Sequence, residues 1–344
     1  MSRVAFITGI TGQDGSYLSE LLLHKGYKVH GLIRRSSTHT NTTHIKHLLT
    51  NTNLTLHYGD ILDSTGIHRI LSSLTMNEFE ILEIYNLAAL SHVSQSFDAP
   101  EYTGMCNGIS LVYILDWIRN SDYKEKIRFY QASTSELYGK VQEWPQTEKT
   151  PFYPRSPYGV AKLYAFWIVK NYRESYNIFA VNGILFNHES PRRGHDFITR
   201  KITLGISSIL LNEKEYIEVG NLDAKRDWGH AKDFVEGMWL MLQHNEARDW
   251  VLASGKEYSV RNFIEYAFKL KDIIIRWEGS GDNEIGVDSV TGKVRIKVNP
   301  IFYRPSEVEK LLGDPTDAKT ILKWEPKYSF QTLIEEMLNY DLYK

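Results

Sequence analysis

The chain of 344 residues carries one cysteine, Cys106. No intrachain disulfide can form, which removes the disulfide-stapled secreted scaffolds and favours a reducing, cytoplasmic setting. An excess of one charge is missing too. The 40 Lys and Arg against 42 Asp and Glu leave a net charge of −2, too little for bulk attraction to nucleic acid or to an acidic lipid surface. No apolar stretch approaches the ~20 residues of a membrane span, so neither nucleic acid nor membrane is expected as a partner. Met1-Ser2-Arg3 runs directly into apolar residues, which leaves no room for a leader. There is no internal repeat and no low-complexity linker, and no metal site is expected.

What is present suits a globular protein. Hydrophobic residues make up 42% and charged residues 24%, in a chain long enough for one large domain or two intimate ones. Val4 to Thr8 is an apolar run, followed by Gly9-Ile10-Thr11-Gly12-Gln13-Asp14-Gly15 and an amphipathic stretch over Ser16–Lys25. Tyr27–Ile33 reads as a second strand. Further strands are expected at Leu54–Tyr58, Ile84–Leu87, Arg128–Ala132 and Phe179–Leu185. Helical patterns lie between them at Ile67–Leu74, Ile109–Arg119 and Tyr158–Tyr176, and later at Arg200–Leu211, Ala231–Gln243 and Phe330–Tyr340. Such alternation predicts an α/β fold, a Rossmann-type doubly wound parallel sheet. A nucleotide-binding domain is expected over 1–186, with 229–254 crossing back once. A smaller, mostly C-terminal substrate lobe would then comprise 187–228 and 255–344.

Three groups of residues carry chemistry. Gly9, Gly12 and Gly15 stand between a strand and a helix, where glycine lets backbone amides approach a pyrophosphate at the helix N-terminus. Arg34-Arg35-Ser36 ends the second strand, where an acid would bind a ribose hydroxyl; two guanidiniums suit a 2′-phosphate, hence NADP. Asp60 and Leu87-Ala88-Ala89 close the next strands at the same sheet edge. Thr134, Glu136, Tyr158 and Lys162 form the third group. Tyr158 and Lys162 are four apart and share a helix face. An ammonium beside a phenol lowers its pKa from ~10 by roughly 1–3 units, so Tyr158 can take an alcohol proton while a hydride leaves the same carbon. Glu136 is a second base, which alcohol oxidation alone does not need. Each feature has a plainer reading: a simple strand–helix turn, a solvated basic turn, a helix-capping acid.

Longer runs resolve the choice. Thr8–Gly15, Arg34–Ser37, Ala132–Gly139, Pro151–Tyr158, Phe186–Gly194, Gly220–His230 and Tyr303–Val308 together resemble the extended short-chain dehydrogenase/reductases that act on nucleotide sugars, and within them the GDP-mannose 4,6-dehydratases. Dehydratases of that group acting on dTDP-glucose carry Asp where this chain has Ser135, which supports the GDP-mannose branch. The resemblance implies oxidation at C4 by NADP, loss of water across C5–C6 and return of the hydride to C6. It assigns Tyr158 to the O4 proton, Thr134 to holding that oxygen, Lys162 to tuning Tyr158, and Glu136 to the C5 proton and the departing C6 hydroxyl. For the cofactor it implies Gly9, Thr11, Gly12, Gln13, Asp14, Gly15, Arg34, Arg35, Ser36, Asp60, Ile61, Leu87, Ala88, Ala89, Ser91, Tyr102, Lys162, His188 and Arg193. For the GDP-sugar it implies Ser91, Thr134, Glu136, Tyr158, Asn187, Lys201, Gly220, Arg226, Arg304 and Glu307. A homodimer or homotetramer is the implied assembly. Two rival readings are a nucleotide-sugar 4-epimerase, which has no use for Glu136, and a non-catalytic NADP sensor, which would have lost part of the tetrad. Microscopic reversibility adds a secondary C4 reduction of the product to GDP-D-rhamnose.

Overall fold

The computed structural model describes residues 2–35 and 41–343; Ser36 lies outside them. Two compact units divide the chain. The first comprises Met1–Leu185, Ala231–Leu252 and Asp314–Glu325. Its seven-stranded sheet is built from β1 (Ser2–Thr8), β2 (Lys28–Ile33), β3 (Leu54–Tyr58), β4 (Phe79–Asn86), β5 (Ile127–Ala132), β6 (Phe179–Leu185) and the strand Asp249–Leu252. The order is Asp249–Leu252, β6, β5, β4, β1, β2, β3, and every pairing is parallel. The winding reverses between β1 and β4, and ligands bind outside the carboxyl ends of strands at such a point.

Helices cover both faces, so the inner strands are largely apolar on both sides. On one face Ala5, Ile7 and Tyr85 pack under α1 (Gln13–His24) and the helix Ala231–Gln243. On the other, Val4, Phe6, Leu82, Ile84 and Phe129 pack under α2 (Ser64–Leu74) and the helices Ser110–Arg119 and Pro157–Tyr176. The exposed sheet edge is blunted where Glu148 accepts Val251 N at 2.8 Å, using a side chain in place of a further strand. The chain returns to this unit twice, against the single return expected from sequence. The second return, Asp314–Glu325, is recruited because Ala318, Leu322 and Trp324 enter the first core.

One row of the sheet is polar. Thr8, Asn86, Gln131, Asn182 and Asp249 stand in register across five neighbouring strands. Thr8 Oγ1 donates to Asn86 Oδ1 at 2.8 Å, and Asn86 Nδ2 donates to Gln131 Oε1 at 2.8 Å. Asn182 Nδ2 donates to Asp249 Oδ1 at 2.9 Å, and Arg173 grips both carboxylate oxygens at 3.0 Å. Thr8, Asn86, Gln131 and Asn182 are deeply buried, where each unmet hydrogen bond costs about 1–3 kcal/mol.

The second unit comprises Phe186–His230, Ala253–Gly313 and Pro326–Lys344. It holds a three-stranded sheet (Glu257–Ser259, Lys225–His230, Asn187–Glu189) and a four-stranded one (Ile275–Glu278, Ile285–Asp288, Val294–Val298, Ile217–Val219). The helices Ile198–Leu210, Val260–Lys269 and Phe330–Leu342 pack around Ile202, Ile206, Phe263, Ile264 and Leu333.

Tyr130 breaks the rule of met hydrogen bonds. Its ring is fully buried and its hydroxyl has no partner among the described residues. Tyr130→Phe is expected to raise unfolding free energy by about 1 kcal/mol, measured by urea denaturation; a loss of that size would mean the hydroxyl is satisfied.

Candidate active site

The nucleotide end of the first unit is shaped by backbone. Gly9 has φ 72°, and a Cβ there would lie 3.0 Å from Ala88 N and Cα. Only glycine lets this turn lie against the segment Leu87-Ala88-Ala89. Gly12 precedes α1, and no described side chain caps the helix. Thr11 is half-buried in the turn, and Gln13 Nε2 donates to Asp14 Oδ1 at 3.1 Å. Thr8 Oγ1 accepts both Leu87 N and Ala88 N at 3.0 Å, fixing the opposite wall.

Arg34 and Arg35 are exposed just beyond β2. The Arg35 guanidinium rests 4.9 Å from the centre of the Tyr58 ring, a partner that sequence reasoning missed although Tyr58 stands two residues before Asp60. Arg34 and Asp60 both act electrostatically on Tyr102 and Cys106, which are hydrogen-bonded to each other. Burial raises the Cys106 thiol above its ordinary pKa. Asp60 Oδ1 accepts Leu62 N at 2.9 Å, Ile61 anchors the same segment in the core, and Ser91 is exposed beyond Ala89. Cys106 and Asn107 lie in a π-helical turn, Met105–Ile109. Asn107 holds the backbone of Leu90 through both its amide atoms, at 2.8 and 2.9 Å.

The catalytic segment follows β5. Thr134 caps the short turn Ser135–Leu137 by accepting Glu136 N at 3.2 Å. Ser156 caps the helix Pro157–Tyr176 by accepting Gly159 N at 3.0 Å. A Cβ on Gly159 would come within 2.9 Å of Glu136 O, so glycine lets the start of this helix dock on the Thr134–Glu136 turn. Thr134, Glu136, Tyr158 and Lys162 are all buried. Lys162 Nζ donates to Ala132 O at 2.8 Å, and burial pulls its ammonium down to about 8.

The second unit contains a cavity of about 420 Å³ lined in part by Asn221, Asp223, Glu284, Tyr303, Arg304 and Glu307. Arg226 is buried and pairs with Glu307 at 3.3 Å. Arg261, which sequence reasoning missed, bridges Asp223 and Glu284 beneath that lining. Lys201 Nζ stands 3.3 Å from the Phe302 ring centre, and burial lowers its pKa. Phe302 O also crowds Gly220, where a Cβ would lie 2.9 Å away. Asn187 Oδ1 is buried with no hydrogen-bond partner among the described residues. His188 and Arg193, read as cofactor residues, belong to this unit. His188 Nδ1 bonds Phe186 O at 2.8 Å, while Arg193 pairs with Glu189 at 3.0 Å and lies over Phe197.

Comparison with known proteins gives a consistent picture. The family model for GDP-mannose 4,6 dehydratase matches residues 6–337. A GDP-mannose 4,6 dehydratase from Homo sapiens is 56% identical over 346 residues, covering 99% of this chain and 91% of that protein. Among solved structures, dTDP-glucose 4,6-dehydratase from Bacillus anthracis in complex with NAD superposes with a TM-score of 0.79 at 19% identity, covering 98% of this chain and 96% of that one. The structure of RMD from Pseudomonas aeruginosa complexed with NADPH gives 0.75 at 20% identity over the full length of both. These two likenesses concern the fold.

The buried ammonium has a measurable consequence. Its pKa is about 8 in the folded chain against 10.5 in the open one, so below pH 8 it costs stability in full, about 3 kcal/mol. That cost fades as pH rises from 8 to 10.5. Lys162→Met is expected to stabilise the unliganded protein by about 1–3 kcal/mol at pH 7 and by progressively less toward pH 10, read from denaturant midpoints. A pH-independent loss instead would show that the bond to Ala132 O outweighs burial.

Proposed function

The chain belongs to the GDP-mannose 4,6-dehydratase family, and on that premise we propose that it converts GDP-D-mannose to GDP-4-dehydro-6-deoxy-D-mannose and water, with NADP as a recycled cofactor. The observation that carries this reading is Glu136, a carboxylate built into the same buried turn as Thr134 and docked on the helix that bears Tyr158 and Lys162. A 4-epimerase has no use for it. The non-catalytic reading has nothing in its favour, since all four groups are present.

A dinucleotide fits the cradle at Gly9, which a Cβ would fill, beside the N-terminus of α1. Gly9, Gly12, Gly15 and the flanking Thr11, Gln13 and Asp14 would hold its pyrophosphate; Asp60, Ile61, Ala88, Ala89, Ser91 and Tyr102 would border the rest. Arg34 and Arg35 favour NADP over NAD, because paired guanidiniums suit a ribose phosphate and Tyr58 preorients one of them. When bound, NADP accepts the C4 hydride and returns it to C6. Tyr158 takes the O4 proton, and Thr134 holds O4. Lys162, cationic at neutral pH, favours the Tyr158 phenolate. The C4 ketone acidifies C5, Glu136 removes the C5 proton, and the same carboxyl protonates the departing C6 hydroxyl as water. Lys201, Arg226 and Arg304 would neutralise the diphosphate, with Glu307 and Asn187 meeting polar groups of the nucleotide and sugar.

A homodimer or homotetramer belongs to this reading. Val160, Tyr164 and Trp167 form an exposed stripe on the helix Pro157–Tyr176, each more than 40% accessible, and a second copy would cover it; light scattering tests this. A cytoplasmic setting is supported by the single cysteine, and fractionation tests it.

Purified protein incubated with GDP-mannose and NADP is expected to give a sugar nucleotide lighter by one water without accumulating NADPH, read by mass spectrometry and absorbance. Unchanged mass with altered C4 stereochemistry would establish the epimerase instead. Glu136→Gln is expected to keep cofactor affinity and to lose about 10²–10⁴ in rate; near-normal turnover would remove Glu136 from the mechanism. Titration with each cofactor tests the preference, with NADP expected to bind at least tenfold tighter than NAD, since each guanidinium–phosphate contact contributes about 1.5–3 kcal/mol. Supplying the product with NADPH tests C4 reduction.

A further inference from the structure

The Ala132 carbonyl that anchors Lys162 has a second donor. Gln131 Nε2 donates to it at 3.0 Å, beside Lys162 Nζ at 2.8 Å. Behind Gln131 runs a chain with only one possible direction. Thr8 Oγ1 accepts Leu87 N and Ala88 N, so its single hydrogen is left for Asn86 Oδ1. Asn86 must then present Nδ2 to Gln131 Oε1, and Gln131 must present Nε2 to Ala132 O. Every donor points toward the lysine's anchor. Thr8, Asn86, Gln131 and Lys162 are each at most 3% exposed, so the links between these side chains strengthen one another.

We infer that Gln131 is a positioning residue for Lys162: it fixes the Ala132 carbonyl so that one lone pair faces the ammonium, and it ties that carbonyl through Asn86 and Thr8 to the wall of the nucleotide turn. A carbonyl with both lone pairs committed has a defined place for each donor. With Gln131 unable to donate, Lys162 can slide across both lone pairs and leave its post beside Tyr158. Misplacement on that scale costs about tenfold or more in rate. It also weakens the cation's hold on the phenolate, so the pH below which Tyr158 is protonated moves upward.

The inference rests on the role proposed for Lys162, and the experiment separates the two. Gln131→Met keeps the length of the side chain and removes its hydrogen bonds. For the NADP-loaded enzyme it is expected to lower kcat roughly tenfold with KM for GDP-mannose within about twofold, and to move the acid limb of kcat/KM upward by about half a pH unit. A variant that loses thermal stability while kcat and the acid limb stay at wild-type values would make Gln131 purely structural and overturn the inference. If Gln131→Met does not fold, Gln131→Glu is read the same way, since it keeps the acceptor for Asn86 and replaces the donor with an oxygen that repels Ala132 O. Lys162→Met is run in parallel. Its collapse alongside a wild-type Gln131 variant overturns the inference alone; wild-type behaviour of Lys162→Met overturns the reading of Lys162 and this inference with it.

Discussion

An ammonium held in a dry interior by a backbone carbonyl is the constraint around which the first unit is arranged. Among the described residues Lys162 has no carboxylate partner; Ala132 O supplies a partial charge, and burial depresses its basicity. A cation in that state is useful only beside a group that must ionise, and Tyr158 stands one helical turn away. Burying this cation costs fold stability. The apolar sheet beneath provides the surplus that tolerates the cost.

That arrangement needs one polar row in a mostly apolar sheet. The chain meets the requirement by ending β1 and β4 on Thr8 and Asn86 and placing Gln131, Asn182 and Asp249 at the matching register in the strands beyond. Asn182 joins Asp249 and Arg173, so the row divides into two networks, one leading to Lys162 and one bracing the edge strand. The glycines do complementary work by removing Cβ atoms where two backbones must nearly touch. Gly9 brings the nucleotide turn against Ala88, and Gly159 brings the catalytic helix against Glu136.

The second unit uses a different strategy. Its short strands and connecting loops frame a cavity whose acidic lining is balanced by arginines: Arg261 between Asp223 and Glu284, and Arg226 against Glu307. These pairs restrain the arginine side chains through their carboxylate partners. Lys201 lies on the Phe302 ring.

The sequence by itself determined the parallel sheet and its glycine turn, and it singled out Thr134, Glu136, Tyr158 and Lys162. Each of these is local: a 2- or 3.6-residue period, a turn chemistry, or a spacing of four on one helix. Leu54–Tyr58, Phe179–Leu185 and Ala231–Gln243 were legible to the residue for that reason. The strands of the second unit were not, because three to six residues with mixed polarity give too short a pattern. The return of Asp314–Glu325 to the first core was hidden as well, since it depends on where Trp324 finds its partners. Only tertiary structure decided which polar strand ends would meet. Thr8, Asn86 and Gln131 are 78 and 45 residues apart in turn, and nothing local links them. Parallel pairing sets them side by side, and the shortage of water there makes their hydrogen bonds obligatory.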